Sequence, residues 1–164
     1  MSARIAVAAA GTANVATGVP VLDHLLALLA RSGRFELALE LPPGDAEAEV
    51  ADAGRAFGAA VAPLLRAPGA VGHGAGVMPA HEALAQVVLE VSEHPLLASN
   101  VDLTAARAGG LASDLAARFL RELAEEAGLT LHVRLIDGDD SRHVLESIFK
   151  ALGVALAAAC GPND

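Results

Sequence analysis

Leu22, Leu25, Leu26, Leu28 and Leu29 recur at three- and four-residue spacing, with Asp23 in the opening turn and Gly33 just beyond. That rhythm predicts a helix over Leu22 to Ala30 with one apolar face. Phe35 to Leu41 then alternates large apolar residues with Glu36 and Glu40, which predicts a strand stopped by Pro42, Pro43 and Gly44. Glu47 to Leu65 returns to helical spacing, interrupted at Gly54 and Gly58 and ending around Pro63 and Pro68. The same order comes again in the second half. Ser113 to Ala127 places Leu115, Phe119, Leu120 and Leu123 on one face, Gly128 follows, and Leu129 to Ile136 reads as a strand. After a Gly-Asp-Asp-Ser turn, Arg142 to Ala159 is a long helix with Leu145, Ile148, Phe149, Leu152 and Leu156 inward.

Helix, glycine, strand, turn, helix therefore occurs twice, which suggests a duplicated unit rather than a solenoid of many short repeats. The expected organisation is a single domain of two repeats, roughly 1–93 and 94–164. Gly69 to Gly76 reads as a flexible glycine-rich connection, Ala85 to Val91 as a weakly alternating strand, and Arg4 to Ala9 as an opening strand. Strands mixed among helices place the chain in the α/β or α+β class, with helices packed on more than one sheet.

The chain has 164 residues, enough to bury a core without disulfides. A net charge of -9, with acidic residues scattered rather than basic ones clustered, argues against nucleic acid. No Trp or Tyr is present to stack on bases. The uncharged stretch Ile5 to Leu22 is broken by Gly11, Thr12, Asn14 and Thr17, so neither a signal peptide nor a membrane span is expected, and no run approaches the roughly 20 apolar residues a span needs. The single Cys160 has no internal partner, which fits a reducing cytoplasm. Gly72-His73-Gly74-Ala75-Gly76 lacks the following helix and the Lys-Ser/Thr pair of a phosphate loop.

Of the six histidines, His24, His73, His81, His94, His132 and His143, none forms a His-x-x-x-His pair. In the last helix His143, Glu146 and Lys150 share a face. An imidazole and a carboxylate one turn apart suit a transition metal, and a lysine one turn further suits a phosphate. A solvated face, with Arg142 pairing Glu146, explains the same spacing.

Four collinear segments bear on that choice. They are Thr17-Gly-Val-Pro-Val-Leu-Asp-His24, Met78-Pro-Ala-His-Glu-Ala-Leu84, Ala127-Gly-Leu-Thr-Leu-His132 and Arg142-His-Val-Leu-Glu-Ser-Ile-Phe-Lys150. Together they resemble the imidazoleglycerol-phosphate dehydratase family. The resemblance implies an internally duplicated fold with helices packed between sheets, and self-association as a trimer or 24-mer. It implies a lyase of histidine biosynthesis that converts imidazoleglycerol phosphate to imidazoleacetol phosphate, using manganese held between subunits by histidines and glutamates from both repeats.

Carried over position by position, the resemblance assigns metal binding to His24, His132, His143 and Glu146, catalysis to Glu146 and His24, and substrate phosphate to Lys150, Ser147 and Arg107. The chain departs from the pattern elsewhere. The first His-His-x-x-Glu cluster falls on Glu47 to Ala51, where Glu47 and Ala48 replace the histidines and Ala51 the glutamate; in the second cluster Arg142 replaces the first histidine. An arm glutamate is missing from Ser2 to Thr12, and His81 stands where the family has Asp. Alanine offers no lone pair and arginine brings a fixed positive charge. The expectation is manganese at reduced stoichiometry, at most one site, or none. Asp45, Glu47, Glu49 and Asp52 read either as supplementary oxygen ligands or as an acidic helix start favoured by the dipole. His73, His81 and His94 receive no role. Two functions follow: a dehydratase with a degraded dimetal site, or a non-catalytic homologue that keeps the fold and a phosphate or imidazole ligand.

Overall fold

The computed structural model describes residues 2–7, 11–101, 107–108 and 111–161, with side chains for 11–101 and 116–161. In chain order its elements are β1 (Ser2–Val7), β2 (Thr12–Ala16), α1 (Pro20–Gly33), β3 (Phe35–Glu40), α2 (Ala46–Leu65), β4 (His73–Ala80), β5 (Ala83–Val91) and β6 (Leu96–Ser99). They continue through β7 (Arg107–Ala108), β8 (Leu111–Ala112), α3 (Ser113–Ala127), β9 (Leu129–Asp137) and α4 (Ser141–Cys160).

Two sheets, ordered β1-β3-β2 and β4-β5-β9-β6, enclose a layer of four helices. Each sheet turns its apolar positions toward that layer. Phe35, Leu37 and Leu39 of β3 are buried while Glu36 and Glu40 are exposed, and Leu129, Leu131 and Val133 of β9 alternate with exposed His132 and Arg134. Side-chain alternation on a pleated strand thus decides which residues can reach the helices and which cannot.

The two sheets share a connectivity. In the first, β1 pairs antiparallel and β2 parallel with the central β3, and helices flank that strand in sequence. In the second, β5 pairs antiparallel and β6 parallel with the central β9, again between two helices. β4 adds an antiparallel edge strand beside β5.

All four phenylalanines of the sequence are fully buried. Phe119 of α3 lies edge-on to Phe57 of α2 at 6.1 Å and tilted against Phe149 of α4 at 5.6 Å, tying three helices together. The helix starts are capped as their sequences suggest. Asp45 accepts from the backbone N–H of Ala48 at 2.8 Å, and Asp140 from those of Arg142 and His143 at 2.9 and 3.3 Å.

Four expectations need correction. Gly54 and Gly58 do not interrupt α2, which runs unbroken through Pro63. They are where α3 crosses closest, since a Cβ on Gly54 would lie 2.7 Å from the Phe119 carbonyl oxygen. The stretch to Gly76 is not wholly a flexible connection, because His73–Ala80 is strand β4. Gly74 and Gly76 fall on the face toward α4, where a Cβ on Gly76 would sit 2.5 Å from the Ala151 carbonyl oxygen. β2 lies in a segment that showed no strand pattern, held by its parallel pairing with β3. Finally, α4 is long and apolar enough to cross a membrane by length and composition, yet it packs on α1, β4 and β5 as a core helix. The opening strand is present as β1, while Ala8 and Ala9 lie outside the described residues, as does the side chain of Leu115.

Candidate active site

The site grows from the hairpin turn between β4 and β5. Ala80 pairs with Ala83, leaving His81 and Glu82 as a two-residue turn at the mouth of α4. One Glu82 carboxylate oxygen accepts from the backbone N–H groups of Asp139 and Asp140 at 3.1 and 3.0 Å; the other lies 2.5 Å from His143 Nδ1. The backbone donor at Asp140, then the imidazole, hold Glu82 down to about 2, and the same carboxylate raises the pKa of His143. With Nδ1 bound to Glu82, His143 keeps Nε2 for another partner.

Glu146, one turn along α4, accepts from His24 of α1, with Nε2 and Oε2 2.9 Å apart. Glu146 is well covered, with 14% of its side chain exposed, whereas His24 is open at 45%. The His81 ring lies 4.2 Å from that of His143, tilted by 31°. One ligand atom each from His81, His143 and Glu146 falls within a 4.8 Å spread. Lys150 donates to the Pro79 carbonyl at 2.6 Å. It joins Leu28, His81 and Glu146 around an open cavity of about 420 Å³, and on the other side of Glu146 a cavity of about 200 Å³ is lined by Val21, His24 and Arg142.

Of the expected residues, His24, His143, Glu146 and Lys150 therefore meet within one chain. His132 does not join them: it points away from the helices and lines, with His73, Val88 and Glu90, a separate cleft of about 440 Å³ on the outer face of the second sheet. Ser147, expected at the phosphate, is fully buried and donates to the Val144 carbonyl at 2.7 Å, so its hydroxyl faces the core instead. Arg107 lies in β7, its side chain outside the described residues.

The acidic start of α2 is engaged in capping and ion pairs. Asp45 is the cap, Glu49 accepts from the Gly44 N–H at 2.9 Å, Asp52 pairs with Arg55, and Glu47 reaches Arg118 at 3.8 Å. Ala51 is buried.

These donors fit one divalent transition ion, because imidazole nitrogen and carboxylate oxygen at the start of α4 are the ligands such ions prefer. The start of α2 supplies no imidazole, and Arg142 is exposed beside His143 with a permanent charge.

The sequence profile of the family described as imidazoleglycerol-phosphate dehydratase matches residues 17–156. The chain belongs to this family. It is 38% identical over 159 residues to the imidazoleglycerol-phosphate dehydratase of Desulfitobacterium hafniense (strain Y51), covering 94% of this chain and 81% of that one. It is 40% identical over 153 residues to that of Syntrophobacter fumaroxidans, covering 91% and 78%. Among solved structures it is similar to the dehydratase from Staphylococcus aureus, with a TM-score of 0.87 and 30% identity over 97% of this chain and 92% of that one. The Pyrococcus furiosus dehydratase in complex with (S)-C348 gives a TM-score of 0.83 and 25% identity over 99% and 89%.

Glu82 and His81 are the site residues that sequence reasoning left without a role. Their signal was a two-residue gap between paired strands, visible only once β4 is recognised as a strand.

Proposed function

We propose that this protein is a dehydratase of histidine biosynthesis, converting imidazoleglycerol phosphate to imidazoleacetol phosphate with a reduced metal site. The observation that carries the reading is the convergence of His24, His143 and Lys150 from α1 and α4 around Glu146, which borders two adjoining cavities, in a chain that matches dehydratases along almost its whole length.

What a divalent ion such as manganese supplies when bound is Lewis acidity toward the substrate's imidazole nitrogen. Glu146 moves a proton at its carboxylate, with His24 hydrogen-bonded to it as the exchange partner. Lys150, beside Pro79, offers its remaining N–H donors to the phosphate. His143 and Glu146 are the carried-over ligands that this chain brings to the ion, with His24 bonded to Glu146 beside them. His132 on the outer face serves a metal only as a contribution to a neighbouring subunit.

Exposed Val77, Val88 and Ile136 on the second sheet support self-association through that face. The matched connectivity of the two sheets supports descent from one duplicated unit, with β5 opening the second copy ahead of residue 94. A cytoplasmic biosynthetic role agrees with a free thiol at Cys160.

The test is turnover of imidazoleglycerol phosphate with manganese added, measured with metal content per chain. Turnover supports the dehydratase, whereas no turnover with less than one metal per subunit sinks it. The second reading, a non-catalytic homologue, is favoured by Ala51 and Arg142 where ligands would stand. It fails if the protein alone rescues a histidine-requiring strain that lacks its own dehydratase.

A further inference from the structure

We propose that His81, His143 and Glu146 form a divalent-metal site complete within one chain, in which His81 supplies a ligand from the β4–β5 turn. The inference goes beyond the ligands carried over by resemblance. It rests on the dehydratase reading for its place in catalysis, but not for the binding of the ion.

Three independent observations support it. First, the three donors lie within a 4.8 Å spread. Metal–imidazole bonds of about 2 Å separate ligand atoms by roughly 3 to 4 Å, so small side-chain rotations close the set. Second, Glu82 occupies His143 Nδ1 and is itself anchored by two backbone N–H groups. A carboxylate on the far nitrogen is the arrangement that orients a ligating imidazole and raises its basicity. Third, His81 has a φ of 54°, in the left-handed region, at the first position of a two-residue hairpin turn. Glycine, asparagine or aspartate suits such a position better. A histidine here carries strain, and in return its ring is placed 4.2 Å from that of His143.

The donor set, two imidazoles and a carboxylate, selects a first-row transition ion such as manganese, cobalt or zinc over magnesium or calcium. The open cavity of about 420 Å³ bordered by His81, Glu146 and Lys150 leaves room for water or an anionic ligand beside it. His81 thereby offsets the coordination lost where Arg142 stands.

The experiment titrates the purified, chelator-treated chain with cobalt(II) alone and follows its visible absorption. The expected result is one cobalt per chain. His81→Gly, which suits the left-handed turn and so keeps the fold, weakens binding at least about tenfold, and Glu82→Gln weakens it about 10- to 100-fold. His94→Ala, in the loop before β6, leaves binding unchanged. Cobalt affinity in His81→Gly equal to that of the unaltered chain overturns the proposal, as does equal weakening by His94→Ala. Turnover of imidazoleglycerol phosphate is read on the same preparations. Cobalt held through His81 without turnover keeps the site and removes the dehydratase reading; turnover with cobalt affinity indifferent to His81 does the reverse.

Discussion

Glu146 is the residue on which the two sides of the cleft depend. It is covered, accepts from His24 and lines both cavities. Replacing it by glutamine keeps the shape and removes the proton acceptor, so Glu146→Gln should lower kcat by about 10²- to 10⁴-fold with an unchanged melting curve for the metal-free chain. Steady-state turnover beside circular dichroism checks this. Cys160 shows what burial alone does. Its thiol is pushed up to about 11 from 9.0 by desolvation. The smaller thiolate fraction, partly offset by a more nucleophilic thiolate, predicts reaction with a disulfide reagent at pH 8 about tenfold slower in the folded protein than in denaturant. The linkage runs the same way. The folded value lies above the unfolded one, so this contribution to stability is whole below pH 9 and is lost as pH rises from there through 11. Denaturant midpoints between pH 8 and 11 would show the decline, and Cys160→Ala should flatten it.

At the scale of elements, the helices owe their limits to local chemistry and their positions to close approach. Asp140 satisfies two N–H groups at the start of α4, the turn that carries His143. Asp140→Ala should cost about 1 kcal/mol in denaturant unfolding. α2 and α3 touch where Gly54 and Gly58 remove side chains. Gly54→Val forces a branched side chain against the Phe119 backbone and should destabilise by about 1–3 kcal/mol or more, measured by the same unfolding curves. Helix extents were legible from periodicity: α3 spans Ser113–Ala127 as the spacing predicts, and α4 begins one residue before Arg142. β4 was not legible, because its inward positions Gly74 and Gly76 leave no hydrophobic alternation to read. Their smallness is set by α4 passing over them.

For the whole molecule, the prediction concerns assembly. If subunits of the family join through metals whose ligands come from both repeats, a chain with Glu47, Ala48 and Ala51 in one cluster should stop at the trimer. Light scattering after size-exclusion chromatography should give a trimer mass that a chelator does not change; a metal-stable 24-mer would contradict it. The sequence by itself determined the family and the helix faces. Those depend on residue identities within a turn or two, and local spacing reports them. Tertiary structure alone decided that His132 faces away from His143, that Ser147 is turned into the core, and that His81 and Glu82 arrive at the mouth of α4. Those depend on strand register and on which layer a face packs against, and such contacts join residues far apart in sequence.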